Sequence, residues 1–525
     1  MGLSFLLSSG RYHNRAGGAS LRIIQQGVTL SIEKTHFSHI SKPICMKKTM
    51  NRRQFVKTGA AAATTFAMVD PFNRVLGANE EIRVGVVGFR GRGKSHIDGF
   101  SNQPGVRLAA LCDVDQDVLE KGAEKYSQPG QKLKTYSDYR RLLEDKEIDL
   151  ISIATPNHTH SLISVEAILA GKDVYVEKPV SHNVWEGQQI VNAARKHKKI
   201  VQTGTQCRSN PGMQEAVKFI RDGNLGKVRV ARGLCYKRRK SIGKVDGPQA
   251  VPSRIDFDLW TGPAPLKPLM RDRLHYDWHW VRDTGNGDLG NQGIHQMDIA
   301  RWILGEDQLS PEVFSIGGRL GYIDDGDTAN TQIVFHNYEK APLIFEVRGL
   351  GAYAQNNERP KYRGVDVGVV VDCENGYMVI PSYSTATAYE HNGKEIRKFS
   401  GGGDHFANCI KAVRSRKRRD LNADIWEGHV SSALCHTGNI SYYLGGNASP
   451  GQVLEQIKGD ALAAESIGRM LEHIQVNDVD LNLTPVSLGQ HLKMDATRMA
   501  FLGNERANEM LTRVYRKPFE VPAIT

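Results

Sequence analysis

Ile82-Arg83-Val84-Gly85-Val86-Val87-Gly88-Phe89-Arg90-Gly91-Arg92-Gly93 is a short apolar run that ends in a glycine turn, and a helix opens behind it near Lys94-Ser95-His96. A strand feeding a glycine turn and then a helix is how a dinucleotide-binding unit begins. The glycines permit the tight turn and let a pyrophosphate approach the helix N-terminus. In the G-x-G-x-x-G spacing the second glycine is replaced by Arg90, so a side chain stands where a phosphate usually meets bare backbone. Gly91 is placed to take over that role in a slightly reshaped loop. Taken alone, the stretch fits a structural glycine turn equally well. Gly88, Phe89, Arg90, Gly91, Arg92 and Gly93 are the candidate phosphate-loop residues.

Three further apolar runs follow, each ending in residues that carry chemistry. Val106-Arg107-Leu108-Ala109-Ala110-Leu111-Cys112 ends at Asp113, 20 residues past Gly93. That spacing suits a carboxylate on the adenosine ribose. Its charge favours the ribose hydroxyls of NAD over the extra phosphate of NADP, although Arg90 leaves NADP open. An exposed turn acid is the plainer reading, since Asp115 and Asp117 follow. The run 148–154 ends in Thr155-Pro156-Asn157-His158-Thr159-His160, and a helix to Ala170 closes at Gly171. Val174-Tyr175-Val176 then leads into Glu177-Lys178-Pro179, which fixes a lysine at a strand end. Strands alternating with helices give a parallel, doubly wound sheet. Such a sheet binds its ligands at the carboxyl ends of its strands. All four loaded turns fall there.

Residues Gly88 to Gly93, Asp113, Thr155-Pro156-Asn157 with His160, Gly171-Lys172 and Glu177-Lys178-Pro179 resemble the Gfo/Idh/MocA oxidoreductases over about residues 80–450. The resemblance implies an N-terminal Rossmann domain followed by an α+β domain whose open, mostly antiparallel sheet carries the substrate site. It also implies that Lys178 hydrogen-bonds the reacting substrate oxygen beside a nicotinamide. Thr155, Pro156, Asn157, His160, Glu177 and Lys178 then join the cofactor-binding set. The second domain is read from a helix over 213–222 and strands over 226–233, 313–320, 328–335, 342–348 and 367–372.

Between those strands lies Asp288-Leu289-Gly290-Asn291-Gln292-Gly293-Ile294-His295-Gln296-Met297-Asp298. Asn291 and His295, four apart, are expected on one helix face and can address one ligand. By spacing alone a lone histidine here is a structural one. By resemblance His295 takes the place of the family's catalytic histidine, and Asn291 stands where the family commonly has aspartate. Asparagine cannot hold a charge beside a histidine, so His295 is left to Lys178 or to a nearby acid, Asp288 or Asp298. Upstream, Trp278 and His279 lie in Tyr276-Asp277-Trp278-His279-Trp280. Aromatic rings beside acids suit the apolar faces and polar rims of sugars, and they suit a packed aromatic core just as well. Candidate substrate-binding residues are Asn291, Asp288, Trp278 and His279. The run Tyr236-Lys237-Arg238-Arg239-Lys240 reads as a solvated loop or an anionic-ligand rim.

The 525 residues are too many for a single core. The formal charge of +12 is concentrated in residues 1–78, which carry +9, so the remainder stands at +3 and implies neither nucleic-acid nor membrane binding. Seven scattered cysteines form no CxxC pair, so no metal site and no disulfide framework is expected. No apolar run reaches the roughly 18 residues of a membrane span. Asn51-Arg52-Arg53-Gln54-Phe55-Val56-Lys57, followed by a mildly apolar stretch, reads as a twin-arginine export signal. The domains expected are a non-native extension (1–49, with translation starting at Met50 or Met46), the export signal (50–78), a Rossmann NAD(P)-binding domain (79–205), a substrate and oligomerisation domain (206–450) and a helical extension (451–525). In the extension, helices are expected over 454–475 and 494–511.

The function expected is hydride transfer from a hydroxyl of a sugar, glycoside or cyclitol to NAD, or NADP, held tightly because an exported enzyme has no free nicotinamide pool. The partners expected are a small carbohydrate and further copies of the same chain. Two other readings remain at this point: a redox-assisted glycosidase or lyase with tightly bound NAD, and a non-catalytic sugar-binding protein on the same fold.

Overall fold

The computed structural model describes residues 81–130 and 133–525. The paired arginines, the start site and the proposed extension and export signal lie outside the described residues.

The first sheet comprises β1 (Ile82–Val87), β2 (Val106–Cys112), β3 (Lys134–Tyr136), β4 (Leu150–Ile153), β5 (Asp173–Val176) and β6 (Val201–Thr203). Among the described residues its order is β3-β2-β1-β4-β5-β6, and every pairing is parallel. A parallel sheet is covered on both faces, which is why β4 and β5 are buried at every position. One face packs Val87, Ile151 and Ile153 under α-helices 160–169 and 184–196. The other packs Val84, Val86 and Leu111 with Ile97 and Phe100, and also with Cys409 and Ile410 from much later in the chain. Phe406, from that later helix, stacks on Tyr175 of β5 with ring centroids 5.3 Å apart.

The second sheet is open and mostly antiparallel. It contains β7 (Val228–Tyr236), β8 (Glu312–Gly318), β9 (Thr331–His336), β10 (Leu343–Arg348), β11 (Val367–Cys373), β12 (Gly376–Ile380), β13 (Thr385–Tyr389) and β14 (Glu395–Ser400), with short C-terminal strands beside β8. β7 pairs in parallel with β10 and antiparallel with β11. The run β12 to β14 has no counterpart among the strands expected from sequence.

The C-terminal region departs from the helical expectation. Residues 454–475 are split between helices Pro450–Gln456 and Ala461–Gln475, because Gly459 takes φ +91° and Asp460 starts a new helix by accepting from Leu462 N and Ala463 N. Residues 494–511 are not a helix. Strands Leu492–Asp495 and Ala500–Phe501 form a hairpin, followed by the short helix Glu505–Glu509. The Asp495 carboxylate accepts from Thr497 N and Arg498 N, closing an Asx turn that competes with helical bonding. The helix Ala461–Gln475 lays Ala463, Ile467, Met470 and Ile474 over Ile316, Ile333 and Ile344 of the second sheet. Among the described residues no helix is long and apolar enough to cross a membrane. The six described cysteines are free and buried.

Candidate functional site

A cleft of about 430 Å³ opens at the carboxyl ends of the first sheet. Its floor is the glycine turn. Gly88 takes φ +76°, and a Cβ there would stand 2.8 Å from the Thr155 side chain. A Cβ on Gly93 would stand 2.1 Å from the Gly88 carbonyl oxygen, so both positions require glycine. Gly91 differs: a Cβ there meets nothing within 4 Å. Its bare backbone lines the cleft beside the exposed Arg90. Phe89 contributes backbone only, because its ring is buried against Gly122.

Asp113, at the end of β2, accepts from Phe89 N at 3.0 Å and from Asp115 N at 3.1 Å. Burial pushes its carboxyl up to about 6 against those two bonds. The acid therefore ties the glycine turn to the neighbouring strand end and also lines the cleft.

Thr155, Pro156, Asn157 and His160 all reach the cleft at the end of β4. His160 is buried, with Nδ1 2.7 Å from the Pro179 carbonyl and Nε2 2.7 Å from the Thr155 carbonyl, so its ring holds the β4 and β5 turns together. Asn157 donates to Asn286 Oδ1 at 3.2 Å, joining this turn to the second domain. Glu177 Oε1 accepts from Arg92 Nε at 2.8 Å and lies 3.1 Å from His96 Nε2, while Oε2 accepts from Lys178 N. Burial disfavours its charge, but His96, Lys178 and Arg92 outweigh burial and hold the carboxyl well below its usual range. Glu177 and Arg92 thus lock the glycine-turn helix to β5.

Lys178 projects from the end of β5 and donates from Nζ to the Asn291 carbonyl at 3.0 Å. Burial pulls its pKa down while Glu177 pulls it up, and the net shift is downward. That carbonyl is free because the expected single helix face is broken. Residues Gly287–Asn291 and Gly293–Leu304 form separate helices with Gln292 between them, and His295 N bonds the Gln292 carbonyl. Asn291 therefore meets Lys178 through its backbone, and its residue lines the cleft.

His295 lies behind this wall, 5% exposed, its ring 4.7 Å from Tyr383. Its Nδ1 has no hydrogen-bond partner among the described residues. Burial, then the Lys178 charge, lowers its pKa to about 3, so it is a neutral imidazole. Trp278 and His279 stack at 3.6 Å and line the cleft, and burial lowers the pKa of His279 to about 3.

The two acids considered as partners for His295 are engaged elsewhere. Asp288 is buried in a two-pronged pair with Arg239 at 2.7 and 2.6 Å, because a buried carboxylate needs a cation. Arg239 also donates to the Tyr276 hydroxyl at 3.0 Å. The run 236–240 is thus not a purely solvated loop. Asp298 takes Arg208 through bonds of 2.9 to 3.1 Å and the Ser431 hydroxyl at 2.8 Å. Asp298→Asn removes one of the two carboxylates that face Arg208, leaving Glu427 at 3.0 Å, and urea unfolding is expected to register a loss of about 1.5–3 kcal/mol. Sequence reading missed Arg239, His96 and Tyr383. The first sat in a charge run, and the last sits on the turn after β12, a strand that was not foreseen.

Residues 82–205 match the oxidoreductase family with an NAD-binding Rossmann fold, Gfo/Idh/MocA, and residues 212–346 match the family's C-terminal alpha/beta domain. The chain is 24% identical over 235 residues to the inositol 2-dehydrogenase of Salmonella typhimurium, covering 44% of this chain and 57% of that protein. It is 32% identical over 212 residues to the alpha-N-acetylgalactosaminidase of Shewanella oneidensis, covering 35% of this chain and 43% of that protein. The chain thus aligns with about half the length of these relatives. The WlbA dehydrogenase of Chromobacterium violaceum, solved in complex with NADH and UDP-GlcNAcA, shares the fold with a TM-score of 0.53 at 18% identity, over 71% of this chain and 96% of that one. The glycine turn, the bare backbone at Gly91 and the acid at the end of β2 fit a dinucleotide. With both family domains present across residues 82–346, the chain belongs to the Gfo/Idh/MocA oxidoreductases.

Proposed function

We propose that the protein oxidises a hydroxyl of a sugar or cyclitol by hydride transfer to tightly held NAD. One observation carries the reading: Lys178 stands in the cleft at the end of β5, fixed on the Asn291 carbonyl at 3.0 Å, with neutral His295 close enough to feel its charge. Gly88 to Gly93 hold the pyrophosphate, Asp113 the adenosine ribose, and Thr155 to Asn157 the middle of the dinucleotide. The bound nicotinamide supplies the hydride acceptor. His295 removes the hydroxyl proton, and Lys178 donates a hydrogen bond to the substrate oxygen as it becomes a carbonyl. Trp278 and His279 offer a stacked surface for the apolar face of the ring. Asp113 favours NAD over NADP. Export through the twin-arginine route, which carries folded proteins, suits an enzyme that takes up its cofactor before leaving the cytoplasm.

The test is to purify the protein, identify the copurifying nucleotide by mass, and add sugars and cyclitols while following reduced-nicotinamide absorbance. A rise with at least one polyol is expected. Protein that carries no nucleotide and takes none up rejects the reading.

A second reading, glycoside cleavage through transient oxidation, is favoured by the 32% identity to the Shewanella galactosaminidase. Oxidation of the hydroxyl two carbons from the glycosidic carbon would acidify the C–H bond between them and permit elimination of the aglycone. Water then adds to the resulting double bond and the hydride returns to the ketone, so the cofactor ends in its starting state. Cleavage of an aryl glycoside with no net change in nicotinamide absorbance selects this reading over the first.

A further inference from the structure

The cleft is not walled by the first sheet and its helices alone. At the Asp113 end its lining includes Tyr139, Leu162 and Ile163 from the first domain, and with them Phe519 from the last seven residues of the chain. Phe519 is 2% exposed and belongs to the same apolar cluster as those three residues. Its ring carries the Arg516 guanidinium at 4.6 Å and the Arg140 guanidinium at 5.4 Å.

The segment that brings Phe519 there is pinned along its length. Arg513 donates to the Asp283 carbonyl at 3.0 Å and to the His158 carbonyl at 3.2 Å, in the turn after β4. The Tyr515 hydroxyl bonds Glu186 and Asn183 at 3.2 Å each. Arg516 donates to the Gly262 carbonyl at 3.1 Å and the Asp258 carbonyl at 2.8 Å. Beyond Phe519, Ile524 N donates to Gln189 Oε1 at 2.7 Å and its carbonyl accepts from Asn192 at 3.1 Å. Gly262, which Arg516 grips, itself lines the cleft. The segment around it is stitched to the β2 end, since Gln116 N donates to Arg254 O and Asp256 N to Val114 O. The tail therefore fastens the roof of the cleft to its wall and places an aromatic ring in that wall.

We propose that the C-terminal tail, through Phe519, is part of the cofactor site and closes its adenosine half, so that the dinucleotide is a resident group. The proposal rests on the dinucleotide reading of this cleft. Asp113 marks the ribose position, and its N–H donates to the Tyr136 carbonyl at 3.2 Å, three residues before Tyr139. The apolar patch of Tyr139, Leu162, Ile163 and Phe519 therefore begins beside it, where a flat apolar base finds cover. The tail lies outside both stretches matched to the family, so the family match does not assign it.

Binding of two probes to the full chain tests the proposal: NADH, and reduced nicotinamide mononucleotide, which lacks the adenosine. Phe519→Ala is expected to weaken NADH binding about tenfold, the order lost when a base is deprived of an aromatic neighbour, mainly through faster release. The mononucleotide should bind within about twofold of the parent protein. Phe519→Leu keeps the cluster filled but removes the ring, and it should show the same selective loss should the alanine variant fold poorly. Unchanged NADH release in a folded variant, or an equal loss for both probes, overturns the proposal while leaving the dinucleotide site standing. A parent protein that binds neither probe overturns the dinucleotide reading and the proposal together.

Discussion

Lys178→Met is expected to lower kcat on the best polyol substrate by about a thousandfold while leaving NADH affinity within about threefold. Methionine keeps the length and apolar stem of lysine, so the packing at the end of β5 survives. The charge of Glu177 stays balanced by Arg92 and His96, which bond the same oxygen at 2.8 and 3.1 Å. The loss is confined to the hydrogen bond that Nζ would give the substrate oxygen, and to the Asn291 carbonyl that Nζ now holds at 3.0 Å. A donor aimed at developing oxygen charge acts most strongly in the transition state, so kcat rather than KM should carry the effect. The expectation is sharper here because Asn291, four residues before His295, is an asparagine and not an acid. No side-chain carboxylate is free nearby to share the proton work, with Asp288 taken by Arg239 and Asp298 by Arg208. Steady-state kinetics with parallel fluorescence titration of NADH decides the matter. A variant retaining more than about a tenth of kcat would remove Lys178 from the chemistry.

The Rossmann half was legible because its physics is local. Strands buried on both faces read as apolar runs, and the loaded residues sit one or two positions past each strand end, so Gly88, Asp113, Thr155 and Lys178 could be lined up from spacing alone. The second domain resisted reading where partners lie far apart in the chain. Asp288 meets Arg239 across 49 residues, and the pairing turns an apparent ligand-binding acid into half of a buried ion pair. Asn291 was assigned by its side chain, but Lys178 meets its carbonyl, which is available only because the helix breaks at Gln292. Residues 494–511 have helical composition, yet the Asp495 side chain accepts from the Thr497 and Arg498 backbone amides and turns the chain back into a hairpin. The reach of Phe519 into the cofactor cleft depends on a tail held by scattered arginine contacts, for which no spacing in the sequence is a sign.

Acidification should destabilise this protein well before the carboxylates held at or below their ordinary range titrate. His158, His295, His336, His429 and His436 are buried, and burial lowers the pKa of each to about 3. In the unfolded chain the same groups titrate near the ordinary value of about 6.5. Between those two values the unfolded state binds more protons than the folded state, so stability rises with pH and is lost as pH falls through 6.5. Each such histidine contributes a slope approaching about 1.4 kcal/mol per pH unit. Asp113 acts in the opposite direction, because burial raises it to about 6 and its protonation favours the folded state below that pH. The carboxylates held low, Glu177 among them, destabilise the fold only below their ordinary range near pH 4. The histidines therefore dominate from pH 6.5 to about 4.5. Urea melts are expected to show a loss of at least about 3 kcal/mol between pH 7.5 and pH 5, a large part of an ordinary domain's stability. His336 lies on β9 opposite Val313 and Leu343, so His336→Leu should be accommodated and should flatten the slope by about the share of one group. Melts that superimpose across this range would show that the buried histidines titrate in the folded protein as they do in the unfolded chain, and that burial does not hold them neutral.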